Sequence, residues 1–142
     1  MTMPSVFEDK FAIGDLISRY NQSLDGGDYP TWVDCWAGDA VLDGMGSYLV
    51  GRQQIQGFAD AYEGKYRSKL NALKHYTVNI LSVIDGDNAT SSSYLQLVNT
   101  GSKGVVIRLT GRYEDKLRRV NGQWKFVQRK LYQDMPQPAA AA

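Results

Sequence analysis

The sequence predicts an α+β fold in which a curved, mostly antiparallel sheet wraps around a long N-terminal helix. Two observations indicate this fold. Apolar residues recur at helical spacing between Val6 and Leu24, so one side of that segment is apolar. Four strand-like segments then follow one another, at 75–84, 89–99, 105–118 and 124–133, with short turns between them. A sheet that curls around one helix forms a cone, and the open end of a cone is suited to a small-molecule pocket.

The residues after the first helix predict a tight helical hairpin. Gly26 and Gly27 are expected to end the first helix. Asp28 is expected to cap a short second helix that has Pro30 in its first turn. Asp25 therefore lies at the elbow between the two helices.

The middle of the chain predicts three smaller elements before the four long strands. They are short strands at Asp39–Asp43 and Ser47–Val50 and a third helix at Arg52–Tyr62. A chain of 142 residues is long enough to bury a core, so residues 1–134 are expected to form a single domain. The Pro- and Ala-rich residues 135–142 are expected to be a disordered tail.

The composition argues against several classes of function. Lys and Arg number 16 against 15 Asp and Glu, so neither nucleic acid nor an anionic membrane surface is expected as a partner. The apolar runs are too short to span a membrane, and the first residues lack signal-peptide features, so a cytoplasmic location is expected. The single cysteine, Cys35, excludes an internal disulfide. One histidine without clustered acids predicts no metal site.

His75 is the only histidine in the chain, and it opens a segment in which polar and apolar residues alternate. If it shares a strand face with Thr77 and Asn79, that face carries several polar groups in a sheet that should be buried. Imidazole is also the side chain best suited to proton transfer near neutral pH. A general base needs an acceptor to hold its other ring nitrogen, and Asp25 is available because Asp28 already supplies the helix cap.

Several short motifs together resemble a known family. They are Leu24-Asp25-Gly26-Gly27-Asp28, His75-Tyr76 with Asn79, Gly111-Arg112-Tyr113-Glu114-Asp115 and Asn121-Gly122-Gln123-Trp124-Lys125-Phe126. The chain resembles the nuclear-transport-factor-2-like, or cystatin-like, cone fold, in the SnoaL-like branch with scytalone dehydratase and hexachlorocyclohexane dehydrochlorinase. In both enzymes an Asp at the helix elbow and a His that opens a strand form a proton-abstracting dyad. The resemblance therefore implies this role for Asp25 and His75.

The resemblance implies further roles and shows one departure. The dehydrochlorinase uses an Arg at the position of Arg129. If Arg129 points inward, it is expected to stabilise a departing group, and the alternative is that its side chain points to solvent. The dehydrochlorinase has a Lys on its first helix where this chain has Tyr20, which can donate only a neutral hydrogen bond. Ketosteroid isomerase, of the same family, uses a tyrosine and a carboxylate at positions that Tyr20 and Asp43 match.

The expected substrate contacts come from the strands and the second helix. Leu109 and Tyr113 lie on one face of a predicted strand and are expected to line the cavity. Leu97, Trp36 and Asp43 are the other residues expected to contact the substrate. Simple core packing is the alternative for the apolar members of this set.

These observations predict a cofactor-independent lyase. His75, oriented by Asp25, is expected to remove a proton from carbon while a β-substituent leaves a small, cyclic, largely apolar substrate. One alternative is an isomerase or polyketide cyclase that keeps the base and has no leaving group. Another is a non-catalytic binding or assembly module. Long exposed strands also predict a homo-oligomer, and the resemblance implies a trimer, although many relatives are dimers.

Overall fold

A curved, unclosed sheet of six strands and a long N-terminal helix make up the architecture. The computed structural model describes residues 2–136. The helices are α1 (Val6–Gly26), α2 (Tyr29–Asp34) and α3 (Gly51–Lys65), followed by a 3₁₀ turn at Arg67–Lys69. The strands are β1 (Trp36–Gly44), β2 (Ser47–Val50), β3 (Leu73–Asp85), β4 (Asn88–Gly101), β5 (Gly104–Val120) and β6 (Gln123–Gln133). They lie in the order β2-β1-β6-β5-β4-β3, and β1 and β6 form the one parallel pair in this described sheet.

The predicted helical hairpin is confirmed at both of its boundaries. Ser5 begins α1 with a capping box, in which its hydroxyl accepts the Glu8 N–H at 3.1 Å and Glu8 reaches back to the Ser5 N–H. Gly27 ends α1 in the left-handed conformation at φ +77°, which a glycine adopts without strain. Asp28 caps α2 by accepting the Thr31 N–H at 3.3 Å.

An aromatic cluster forms the centre of the core. It joins α1 and α2 to the sheet, because it brings together the rings of Tyr20, Trp32, Trp36 and Phe126 with centroid distances of 5.4–5.9 Å. Several of these ring pairs meet in tilted or edge-on geometry, which aromatic side chains favour. The cluster holds the middle of α1 against β1 and β6.

A charged cluster holds the first turn of α1 against the β3–β4 turn and against the adjoining ends of β5 and β6. The buried Asp9 carboxylate accepts Arg119 Nη1 at 2.7 Å, Arg119 Nη2 at 3.1 Å and Trp124 Nε1 at 3.1 Å. Arg119 also donates to Asp87, in the β3–β4 turn, at 3.0 Å. The hydrogen bonds from Arg119 are the main reason that the pKa of Asp9 is lowered.

Two β-bulges determine which residues of β6 and β3 face inward. In β6, Gln128 pairs with Lys116 while Phe126 pairs with Leu117, so Val127 is an extra residue. The sequence left open whether Arg129 points inward or to solvent, and this bulge turns Arg129 to the inner side with Phe126. In β3, a similar irregularity between Val78 and Leu81 leaves Asn79 exposed at φ 55°, so Asn79 does not continue the inward polar face.

The elements extend beyond the predicted limits. Strand β1 begins at Trp36 rather than Asp39, and α3 continues to Lys65 rather than ending at Tyr62. None of the helices within residues 2–136 is both long and apolar enough to cross a membrane. Most of the predicted tail, residues 137–142, lies outside the described residues.

Candidate active site

Asp25 and His75 meet where the last turn of α1 lies against the start of β3. Asp25 Oδ1 is 2.6 Å from His75 Nδ1, and Asp25 Oδ2 accepts the backbone N–H of His75 at 3.0 Å. The side chains are only 15% and 10% exposed, respectively, so little water competes for these contacts. One carboxylate thus fixes both the backbone and the ring of the histidine.

This contact determines which ring nitrogen is available for chemistry. A carboxylate only accepts hydrogen bonds, so the proton of a neutral His75 ring is placed on Nδ1. The lone pair of Nε2 is then the basic site. Such a nitrogen can take a proton from a bound molecule, and Asp25 stabilises the imidazolium that results.

Arg67 secures the elbow that carries Asp25. Its Nε donates to the backbone carbonyl of Asp25 at 3.0 Å, and its Nη1 lies 2.7 Å from Glu63 Oε1. The guanidinium packs so closely on Gly27 that a Cβ there would come within 3.0 Å of it. Sequence reasoning missed Arg67, because the segment after α3 has no clear periodicity. The Glu63–Arg67 spacing of four residues was the available signal.

His75 forms part of the wall of an apolar cavity with a volume of about 100 Å³. Four of the predicted residues, Tyr20, Leu97, Leu109 and Tyr113, line this cavity together with His75. No lysine, arginine or carboxylate is among the lining residues of the described chain. Apart from His75 and Ser47, the polar side-chain groups of the wall are phenols.

Arg129 lies inside the fold, behind the cavity wall. It is fully buried, and its Nε donates to Asp115 Oδ1 at 3.0 Å. Its guanidinium carbon is 3.5 Å from the ring centroid of Tyr113 and 4.4 Å from that of Tyr20. Arg129 therefore contacts the two tyrosines that line the cavity but is not itself a lining residue.

Burial dominates the electrostatics of this region. It raises the pKa of Tyr20 and of Tyr113, so both phenols stay protonated and can donate hydrogen bonds. It also raises the pKa of Asp115 to about 6, against the opposing effect of the Arg129 charge. The charge of Arg129 itself is retained, because Asp115 and the two phenols outweigh the effect of burial and raise its pKa.

The structure places Trp36 and Asp43 away from the cavity, which corrects their prediction as pocket residues. Trp36 is fully buried in the aromatic cluster. Asp43 alternates along β1 with Leu42 and Gly44, which do line the cavity, so its side chain points to the other face of the sheet. Its carboxylate lies 3.9 Å from Lys130 Nζ.

A family model of the SnoaL-like domain matches residues 5–130, nearly the whole described chain. The chain belongs to the SnoaL-like domain family. Among curated proteins, none matches the chain.

Solved structures share the cystatin-like fold of this SnoaL-like domain. Rv3472 from Mycobacterium tuberculosis, a protein of unknown function, has a TM-score of 0.82 and 27% identity over 95% of this chain and 83% of that chain. An NTF2-like protein from Novosphingobium aromaticivorans has a TM-score of 0.82 and 23% identity over 95% and 88% of the two chains. A scytalone dehydratase candidate from the same species has a TM-score of 0.76 and 21% identity over 94% and 95%.

Other lining residues of the SnoaL-like domain were not expected at the pocket. Phe58 and Tyr62 belong to the predicted third helix, and the structure places both at the cavity. Tyr66 and Met45 were not predicted, because each lies in a turn where periodicity carries no signal. Within residues 2–136, no group of three or more His, Cys, Asp or Glu side chains is placed to hold a metal ion.

Proposed function

We propose that this SnoaL-like domain is a cofactor-independent lyase that removes a proton from a carbon atom of a small, largely apolar ring. The observation that carries the proposal is the 2.6 Å contact between Asp25 and His75 in the wall of an apolar cavity. Such a cavity excludes water and strengthens the electrostatic interactions of a base with its substrate.

The reaction begins at Nε2 of His75. This nitrogen takes the proton, and the electron pair of the broken C–H bond becomes the second bond of a new C=C double bond. The β-substituent leaves with the electrons of its own bond. If that substituent is a hydroxyl group, it takes the proton from the His75 imidazolium and departs as water, which returns the base to its starting state.

The phenols favour an oxygen leaving group over a halide. Tyr20 and Tyr113 can donate hydrogen bonds to a hydroxyl or carbonyl oxygen, and no cationic side chain within residues 2–136 lines the cavity to receive a free halide ion. Arg129 acts through these two rings, because its positive charge makes them stronger hydrogen-bond donors. The proposed activity is therefore closer to a hydro-lyase than to a dehydrochlorinase.

The same phenols also favour a second candidate, an isomerase or cyclase. Proton removal beside a carbonyl group gives an enolate, and a phenol can stabilise its oxygen without any leaving group. The base is again His75. The two activities differ in their products, because elimination releases water and isomerisation releases nothing. A non-catalytic module, in contrast, has no need for a carboxylate held within 2.6 Å of a histidine.

The test measures proton removal directly. Purified protein is incubated in D₂O with a panel of monocyclic β-hydroxy ketones, and NMR follows both carbon-bound deuterium and alkene formation. We expect His75→Gln and His75→Ala to reduce the rate of either process by about 10²–10⁴-fold. Lys74→Ala is the matched control, since Lys74 is exposed on the opposite face of the same strand. Wild-type rates in both His75 variants would show that the base is wrongly assigned.

A further inference from the structure

The cavity at His75 is too small for more than one ring. Its volume is about 100 Å³, less than the roughly 150 Å³ of a closed cavity that holds one benzene, so a single ring fills it completely and reaches its open mouth. The inner end is closed by large apolar side chains such as Leu95 and Tyr113, which are both almost fully buried. A substrate larger than one ring can therefore extend only outward, through the mouth.

A second, larger space adjoins that mouth. It has a volume of about 340 Å³ and lies between the β1–β2 turn with β2 and the outer side of α3. Five residues line both spaces and form the partition between them: Met45, Ser47, Phe58, Tyr62 and Tyr66. We call the 340 Å³ space the outer compartment.

The partition contains one residue whose side chain can adapt to a ligand. Met45 lies at the tip of the β1–β2 turn, between two glycines, and is 53% exposed at φ 53°. Its unbranched side chain has three rotatable bonds and adapts readily to a new neighbour. Gly44, just before it, is held in place, since a Cβ there would come within 2.8 Å of the Leu131 Cβ. The turn is thus fixed at its base and adaptable at its tip.

We propose that the substrate has two parts: one ring that binds beside His75, and an apolar arm that passes Met45 into the outer compartment. This inference rests on the proposed function for the position of the ring. The arm lies against α3 at Gly57, which has no side chain, and at Ala61, which has only a methyl group, so this side of the outer compartment is open. Substrates with a second ring attached to the first are the class that occupies both spaces.

Binding of two inert probes tests the proposal without turnover. Phenol offers one ring, and 4-phenylphenol offers the same ring with an apolar arm. Isothermal titration of the wild-type protein is expected to show 4-phenylphenol binding about 10–100-fold more tightly, the gain that burial of a second ring provides. Equal affinity for the two probes, or no binding of either, overturns the proposal.

Substitutions in the wall of the outer compartment test whether the apolar arm binds there. Ala61 is an exposed residue of α3 that lines the outer compartment but not the inner cavity, so Ala61→Trp fills only the outer compartment. We expect this variant to lose most of the extra affinity for 4-phenylphenol and to keep its phenol affinity within about twofold of wild type. Gly57→Phe, at another exposed position of α3 that lines only the outer compartment, is a second variant with the same expected direction. Tyr48→Trp is the matched control, because Tyr48 is 65% exposed and lines neither space. A gain that persists in both variants overturns the proposal.

The outcomes remain separable from those of the proposed function. Loss of the arm's contribution in Ala61→Trp supports the two-part site even if no elimination activity is found. If the protein is active but binds phenol and 4-phenylphenol with equal affinity, the two-part site is contradicted and the proposed function is not.

Discussion

The Asp25 carboxylate serves His75 through both of its oxygens, one for the ring and one for the backbone N–H. In Asp25→Asn, the amide nitrogen can no longer accept one of these hydrogen bonds. We expect kcat/KM for the proposed reaction to fall by about 10²–10⁴-fold, because the ring loses its fixed tautomer and the imidazolium loses its counter-charge. Binding of phenol should change little, since Asp25 does not line the cavity.

The control for that prediction lies three residues along the chain. Asp28→Asn keeps the cap of α2, because Asn caps helices as well as Asp does. Steady-state kinetics and titrations with phenol on both variants give the comparison. A drop in activity of equal size in Asp28→Asn would attribute the effect to the hairpin as a whole.

Asp115 and Arg129 form a fully buried ion pair, with both side chains at 0% exposure. Asp115→Asn leaves the Arg129 charge without a counter-charge in the interior. We expect a loss of about 3–5 kcal/mol in the free energy of unfolding, measured by urea denaturation. Glu114→Gln, at the exposed neighbouring position, should change it by less than about 0.5 kcal/mol. A similarly small effect in Asp115→Asn would contradict the importance of the pair.

The site could be predicted from the sequence only in part. His75 was recognisable as the sole histidine, but its partner lies 50 residues earlier, and the family resemblance rather than any spacing pointed to Asp25. Asp115 was missed as a partner because the alternation of β6 left open whether Arg129 points inward or to solvent. The extra residue at Val127 reverses that alternation, and a one-residue bulge leaves no mark on composition or periodicity.

Helices and strands were predicted with more success than their ends. The apolar stripe of α1 and the alternation of the long strands are repeated many times, so each element was recognisable. The first residues of β1 were missed because Trp36 and Ala37 are both buried, and a segment buried on both sides does not alternate.

The first turn of α1 depends on the charged cluster around Asp9. The pKa of Asp9 is lower in the folded protein than in the unfolded chain. As the pH falls, Asp9 is therefore protonated first in the unfolded chain, and the stabilisation that it provides at neutral pH is lost below the unfolded pKa. We expect Asp9→Asn to be less stable than wild type at about pH 7, with the difference shrinking at about pH 3. Urea denaturation at the two pH values measures it. Asp15→Asn, at an exposed position of the same helix, is the control substitution.

At the scale of the whole molecule, the outer face of the sheet is unusually apolar. Tyr76, Val78, Leu81, Val83 and Tyr94 are each about half exposed or more, at 48–73%, on the neighbouring strands β3 and β4. Exposed apolar patches of this kind often mark contacts between proteins. We propose that this face joins copies of the chain into a homo-oligomer, of which a trimer is the favoured form.

Sedimentation velocity tests the assembly. The wild-type protein is expected to sediment as a multiple of the 15.9 kDa chain, and the double variant Val78→Lys, Tyr94→Lys as a monomer, because four or more buried charges oppose association. Phe7→Lys, at an exposed apolar position of α1, is the control and should leave the assembly unchanged. A monomeric wild-type protein would refute the proposal.

The backbone N–H of His75 donates to a carboxylate instead of to a neighbouring strand, which makes it a spectroscopic reporter. A hydrogen bond to a charged acceptor is stronger than one to a neutral carbonyl. We expect its NMR signal to lie downfield of the other β3 amides and to move upfield in Asp25→Asn. One resonance then shows whether the base is assembled, before any substrate is known.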